Sequence, residues 1–146
     1  MATFNYKIVG KELDQEDIEN AVPQTLWQKI FLHLEKKRYE VYSPGQKRDK
    51  CEATYVVIKE NGIHGQDGGN KLGFKAFDII IYHPISNYSS MEFYVENIKK
   101  ALKEIKELRA TGTETPAIID DEVQAYTTSI EYQALKTLRR RQNVTD

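Results

Sequence analysis

The stretch Phe74-Lys75-Ala76-Phe77-Asp78-Ile79-Ile80-Ile81-Tyr82 decides the fold of this 146-residue chain. β-Branched and aromatic residues make up most of it, and these residue types favour strands. Apolar residues occupy both alternating positions near its end, as in a strand that is covered on both faces. His83-Pro84 then ends the stretch, because proline cannot donate a hydrogen bond to a sheet. We therefore predict a central strand over residues 74–82.

Two further strands are predicted on the N-terminal side of the central one. Residues 53–59, Ala-Thr-Tyr-Val-Val-Ile-Lys, are rich in β-branched and aromatic side chains. Residues 39–42, Tyr-Glu-Val-Tyr, form a shorter candidate strand that ends at the turn signal Ser43-Pro44-Gly45. Five glycines punctuate residues 61–73, between the second strand and the central one, and they predict a hairpin loop.

Two amphipathic helices are predicted to cover the sheet. The first spans about residues 26–37, with Thr25 as its N-cap. The second begins with a capping box of Ser89 and Glu92, and Gly112 is its natural stop. Apolar residues recur at helical spacing in both, namely Leu26, Trp27, Ile30, Phe31 and Leu34 in the first and Met91, Tyr94, Val95, Ile98, Leu102, Ile105 and Leu108 in the second.

The remaining C-terminal part is predicted to contain a linker, Thr113–Thr115, and a last strand over about residues 123–135. The order is then helix-strand-strand-strand-helix-strand. This order predicts an α+β two-layer sandwich, with two main helices on a mostly antiparallel four-stranded sheet. We predict a polar N-terminal arm over residues 1–24, a single α/β domain over residues 25–141 and a frayed tail over residues 142–146.

Composition restricts the classes of function. The net charge is −1, so no general attraction for nucleic acid is expected. Cys51 is the only cysteine, which excludes an intrachain disulfide and suits a reducing compartment. No signal peptide or membrane-length apolar run is visible, so we expect a cytoplasmic protein without a membrane partner. The nine tyrosines suit either protein interfaces or half-buried strands.

No catalytic constellation is visible in the sequence. His33, His64 and His83 are scattered, and none has metal-ligand spacing to another histidine or to Cys51. The glycine-rich loop lacks a Ser or Thr after Lys71 and precedes a strand rather than a helix, unlike a phosphate-binding loop. A pair of Cys51 with a histidine is left open by the sequence. We expect no enzyme activity, no metal and no cofactor.

Two charged runs near the C-terminus are candidate subunit contacts. The acidic run is Asp120-Asp121-Glu122, and the basic run is Arg139-Arg140-Arg141. Adjacent acids before a strand usually face water rather than catalyse, because acid–base work needs a cleft and separated pKa values. Arginines in a run can contact phosphate or pair with carboxylates of a neighbouring subunit. We expect the basic run to face the acidic run of the next subunit.

Three stretches of the chain also share a layout with a known family. They are the first helix running into residues 39–42, the strand over residues 77–82 followed by a polar loop and the long helix from Ser90, and the acidic turn leading into a tyrosine-bearing strand over residues 116–132. In this layout the chain resembles the tail terminator, or tail-completion, proteins of long-tailed bacteriophages and of phage-tail-like bacteriocins. The likeness extends over most of residues 25–141.

The resemblance implies a structural virion protein with no catalytic residue. Such a protein forms a homohexameric ring on the tail tube, stops tail polymerisation and offers a surface to the head. The implied partners are further copies of the chain, the tail tube protein, the sheath protein of a contractile tail and the head–tail connector or neck proteins. DNA would pass through the lumen without specific binding. The implied location is the head-proximal end of the virion tail, after assembly in the host bacterial cytoplasm.

Two other classes of function remain open from the sequence. One is a neighbouring neck component, such as a head-closure or tail-joining protein. The other is a small regulatory module that binds a protein or a nucleic acid, the latter through Arg139–Arg141. Ring-sized mass would favour the terminator, and salt-sensitive affinity for DNA would favour the nucleic-acid-binding module.

Overall fold

A computed structural model describes residues 22–65 and 72–137 of the chain. Residues 1–21 of the predicted arm, the residues Arg139, Arg140 and Arg141, and the predicted tail 142–146 lie outside this description. The elements in chain order are α1 (Leu26–Lys36), β1 (Glu40–Tyr42), β2 (Tyr55–Gly65), β3 (Leu72–Pro84), a 3-10 helix (Ile85–Ser90), α2 (Met91–Lys103), β4 (Arg109–Glu114), β5 (Ile118–Asp120) and β6 (Ala125–Thr137).

The strands form one mixed sheet of six strands in the order β1-β2-β3-β6-β4, with β5 also paired to β6. β1 lies parallel to β2, and all other pairs are antiparallel. The predicted α+β class with two helices is confirmed. The predicted four-stranded sheet is corrected to six strands, because β4 and β5 are short edge segments without an apolar period.

The main hydrophobic core lies between one face of the sheet and the two helices. Phe77, Ile79 and Ile81 alternate along β3 and are fully buried, as expected for the central strand. A buried side chain of this size contributes roughly 1.5–3 kcal/mol. The same core includes Ile30, Phe31 and Leu34 of α1, Val56 and Ile58 of β2, Ile98 and Leu102 of α2, and Ile130 and Tyr132 of β6.

Helix α1 confirms its prediction to within one residue. The Thr25 hydroxyl accepts a hydrogen bond from the Gln28 backbone N–H, and the Gln28 side chain completes the capping box. Trp27 Nε1 donates to the backbone carbonyl of Ile58 at 2.9 Å, which fastens the helix to β2. Arg38 has a φ of 74°, a left-handed conformation that ends the helical path.

Helix α2 begins later and ends earlier than predicted. The predicted capping box at Ser89 does not form, because residues 85–90 make a 3-10 helix and the Ser90 hydroxyl is held by Asn87 and His83 instead. At the other end, Ile105 stays buried although the helix stops at Lys103. Because Ile105 packs into the core from the turn after the helix, the apolar period of the sequence extends beyond the end of the helix.

Residues 109–120 form one edge of the sheet, which corrects the predicted linker and helix stop. Gly112 has a φ of 91° and lies at an irregularity in the β4–β6 pairing, rather than at the end of a helix. The Thr115 backbone N–H donates to the Ser129 carbonyl oxygen, and this bond holds the segment between β4 and β5 against β6. The tight turn 121–124 then leads into β6, so Val123 belongs to the turn and not to the last strand.

Both ends of the predicted glycine loop belong to strands, and residues 66–71 between them lie outside the described part of the chain. Residues 61–65 continue β2, and residues 72 and 73 begin β3. Gly62, with a φ of 86°, lies where the β2–β3 register shifts between Glu60 and Ile63. A glycine at a bulge bends a strand without ending it, and composition alone does not separate this use from a loop.

Candidate functional site

The acidic turn lies at one end of the sheet, where β5 passes into β6. Asp120 is the last residue of β5 and pairs with Ala125, the first residue of β6. One Asp120 carboxylate oxygen accepts the Glu122 backbone N–H at 3.0 Å. Asp121 and Glu122 are exposed, and neither side chain has an ion-pair partner among the residues that the structure describes. The turn therefore presents two carboxylates that no described side chain pairs with, while Asp120 holds the turn itself.

Asp120 also neighbours a tyrosine cluster on the sheet face opposite the helices. The rings of Tyr55 and Tyr82 stack with centroids 4.6 Å apart, and the ring of Tyr42 meets Tyr55 edge-on at 5.4 Å. Burial raises the pKa of Tyr82, and the Asp120 carboxylate raises it further. The tyrosine cluster is part of a second, smaller hydrophobic core. Because Asp120 lies beside this core and also bonds within its own turn, it has a structural role.

Cys51 belongs to that second core rather than to a nucleophilic site. The thiol is buried, donates to the Ala53 carbonyl oxygen at 3.3 Å, and burial raises its pKa. His83 is engaged elsewhere, with its two ring nitrogens 2.7 Å from the Thr54 hydroxyl and 2.6 Å from the Asn87 carbonyl oxygen. The thiol is therefore neither activated nor paired with this histidine.

Within residues 22–65 and 72–137, no group of three or more His, Cys, Asp and Glu side chains is arranged to hold a metal ion. None of the helices in the same ranges is both long enough and apolar enough to cross a membrane.

A groove of about 350 Å³ opens between α2 and the chain that joins β4 to β5. Met91, Val95 and Ala117 are its apolar lining residues. Three carboxylates and one ammonium also line it, from Glu92, Glu96, Glu114 and Lys99.

The groove contains more negatively than positively charged side chains. Lys99 Nζ lies 2.6 Å from a Glu114 carboxylate oxygen and 3.5 Å from Glu96, and these contacts, chiefly the one with Glu114, raise the pKa of Lys99. Glu92 has no ion-pair partner among the described side chains. Three negative charges against one positive charge leave the groove with a formal charge of −2.

Exposed apolar side chains surround the same end of the molecule. Tyr88 lines the groove, is 58% exposed, and its ring lies 4.6 Å from that of Tyr126. Ile118 and Ile119, in the edge strand β5, are also more than half exposed. Tyr88 and the groove acids are functional candidates that the sequence did not predict. The feature of the sequence that could have indicated Tyr88 is its position as a single aromatic residue in a polar loop.

The opposite end of the sheet has a different character. There Leu135 is 71% exposed and lines a second groove with Phe74, Leu108, Lys106 and Arg109. β6 comprises 13 residues. At about 3.3 Å per residue its two ends are roughly 40 Å apart. The acidic turn and the residue from which the chain continues to Arg139 therefore lie at opposite ends of one strand.

Comparisons with known proteins give no family for this chain: no model of a known protein family matches it, and no curated protein matches its sequence.

Proposed function

We propose that this chain is the subunit of a closed homohexameric ring, resembling a phage tail terminator, that caps a tail tube and receives the head or neck. One observation carries the proposal. The acidic turn with Asp121 and Glu122 stands at the start of β6, and the chain leaves β6 towards Arg139–Arg141 at the other end.

This separation favours contacts between copies over contacts within one copy. Arg141 is only four residues beyond Thr137, and four extended residues span at most about 14 Å. The acidic turn is roughly 40 Å from Thr137. The two runs can therefore pair only when two chains meet end to end. Contacts between unlike surfaces of identical subunits generate a ring when the rotation closes.

The two edges of the sheet give a second line of support. β1 forms one edge and β4 the other, and all six residues of β4 are exposed. Edge strands carry backbone groups that can pair with another chain. Unlike edges on opposite sides of one sheet suit a head-to-tail arrangement, in which each copy offers one edge to each neighbour.

The proposed ring would use its remaining surfaces for the other partners. Tube and sheath subunits would contact one rim, and connector or neck proteins the other. DNA would pass through the lumen without sequence-specific contacts. Catalysis has no part in this function, and the protein would reside at the head-proximal end of the virion tail.

The mass of the purified full-length chain at low and high salt tests the proposal. We expect a hexameric mass that falls as salt rises, because exposed ion pairs are screened. Asp121→Lys with Glu122→Lys should weaken the ring while the subunit stays folded. Asp120 is left unchanged because it holds the turn. Lys59→Glu on β2, at an exposed residue without an ion-pair partner among the described side chains, is the charge-reversal control, and it should leave the ring unchanged.

Two outcomes would contradict the proposed function. A monomer at all protein concentrations would exclude the ring. A monomer that binds DNA in a salt-dependent way would instead favour the regulatory module. In the particle itself, deletion of the gene should give overlong tails that do not join heads, measured by electron microscopy. Tails of normal length would exclude a terminator.

A further inference from the structure

The groove beside α2 has the chemistry of a guanidinium site. Glu92 offers a carboxylate without an ion-pair partner among the described residues, and arginine binds such groups in a bidentate manner. Glu114 adds a second carboxylate, which it shares with Lys99. Tyr88 offers an exposed aromatic ring at the same place, and arginine stacks on such rings. Met91 and Val95 add apolar lining for aliphatic parts of a bound chain. These groups together suit a short peptide that contains both arginine and aliphatic residues.

The C-terminal segment of this chain has that composition. Residues 138–146 read Leu-Arg-Arg-Arg-Gln-Asn-Val-Thr-Asp, with three adjacent arginines between two aliphatic residues. The arginines bring three positive charges to a groove with a formal charge of −2.

The segment cannot bring its arginines to the Tyr88 and Thr128 end of the groove of its own chain. Thr128 lines the groove and lies nine residues before Thr137 on β6, a distance of roughly 30 Å along the strand. Arg141 can reach at most about 14 Å from Thr137. The arginine run of one copy therefore stops well short of its own Thr128, whereas that of an adjoining copy has no such restriction.

We propose that the groove between α2 and the β4–β5 connection binds residues 138–146 of a second copy of this chain. The proposal rests on the proposed ring and assigns one of its joints. It differs from a simple pairing of the two charged runs, because the arginines enter a groove and stack on Tyr88. The free carboxylates of Asp121 and Glu122 lie at the same end of the sheet and add to the field that attracts the segment.

A disulfide experiment tests this joint directly. The full-length chain is made with Glu92→Cys and Arg140→Cys, and the ring is oxidised under mild conditions. We expect a ladder of covalent oligomers on a non-reducing gel, because each bond joins two copies. Arg140→Cys with Lys59→Cys is the matched control, since Lys59 is exposed on β2, and it should give no ladder. The native Cys51 is buried and common to both.

The outcomes separate this inference from the proposed function. If the chain forms rings but Glu92→Cys gives no ladder, or no more than Lys59→Cys gives, the groove is not the joint and the ring proposal stands. A disulfide within single chains would also overturn the inference. If the chain forms no ring, the proposed function fails, and the joint with it.

A second measurement does not depend on a disulfide. Glu92→Gln removes one carboxylate that has no ion-pair partner within the described residues, so the variant should fold normally. We expect the dissociation constant for one joint of the ring to rise about fivefold, as for the loss of an ion pair worth about 1 kcal/mol. Lys59→Gln on β2, which also removes one charge without an ion-pair partner among the described residues, should leave that constant unchanged. Equal constants for Glu92→Gln and the unaltered chain would contradict the proposal.

Discussion

His83, near the end of β3, and Thr54, just before β2, are joined by a hydrogen bond of 2.7 Å between Nδ1 and the threonine hydroxyl. The other ring nitrogen, Nε2, lies 2.6 Å from the Asn87 carbonyl oxygen, which can only accept. Nε2 therefore donates its proton to the Asn87 carbonyl, and Nδ1 shares the second hydrogen bond with the Thr54 hydroxyl. One buried side chain thus ties the start of β2 and the end of β3 to the 3-10 helix.

We predict that His83→Phe destabilises the protein although the phenyl ring fills the space of the imidazole. The variant loses the imidazole bonds to the Thr54 hydroxyl and to the Asn87 carbonyl, and that carbonyl keeps only its bond from the Ser90 hydroxyl. Each lost hydrogen bond costs about 1 kcal/mol. The free energy of unfolding in urea should fall by about 2 kcal/mol. Ser90→Ala, which removes one weaker bond to the same ring, should cost about 1 kcal/mol. Equal stability of the two variants would contradict this account.

The link between α1 and β2 gives a second prediction. Trp27→Phe retains an aromatic ring near Phe31 but loses the donor to the Ile58 carbonyl. We expect the free energy of unfolding to fall by about 1–2 kcal/mol, from the lost hydrogen bond and the smaller ring. Circular dichroism must follow the unfolding, because Trp27 is the only tryptophan. An unchanged midpoint would show that the indole N–H bond contributes nothing.

The tyrosine cluster predicts how stability depends on alkaline pH. Burial raises the pKa of Tyr55 above its ordinary value of 10.0, with smaller effects of Cys51, Tyr82 and Asp120. The folded state thus favours the protonated phenol. Its contribution is complete below the unfolded pKa of about 10 and is lost as the pH rises towards the higher folded pKa. Tyr55→Phe should flatten the fall in the free energy of unfolding above about pH 10. An unchanged slope would contradict this.

The ion pair between α1 and the turn after α2 predicts a dependence on acid pH. Lys29 donates to the Glu107 carboxylate at 2.8 Å and holds the pKa of Glu107 below its ordinary value of 4.5. A lowered carboxyl pKa stabilises the fold above the unfolded value, and this contribution is lost as the pH falls through the folded pKa.

Glu107→Gln should therefore be slightly less stable than the unaltered chain at neutral pH and equally stable at about pH 3. The expected difference is small because both side chains are largely exposed. Urea unfolding of both proteins at the two pH values measures it. A difference that persists in acid would point to packing rather than charge.

Two parts of the fold could be predicted from the sequence because their signals are local. The run Ile79-Ile80-Ile81 identifies the central strand, since few other positions in a small domain bury apolar residues on both faces. Thr25 and the apolar stripe behind it identify α1, because capping and side-chain period are properties of neighbouring residues. Both signals hold before any tertiary contact forms.

Other parts depended on contacts between residues distant in sequence. β4 and β5 have exposed side chains and become strands only because β6 lies beside them. Ile105 continues the apolar period of α2 from a turn, so the end of the helix is invisible in the period.

The candidate site divides in the same way between sequence and structure. Composition alone identified the carboxylates of Asp120, Asp121 and Glu122. Only the tertiary structure showed that Asp120 bonds within the turn and lies near the tyrosine cluster, whereas Asp121 and Glu122 have no partner among the described side chains. It also showed that Tyr88 and Glu92 lie in one groove with Glu114 from a distant segment. The physical reason is that a groove is formed by the packing of segments distant in sequence, whereas charge and apolar period belong to the residues themselves.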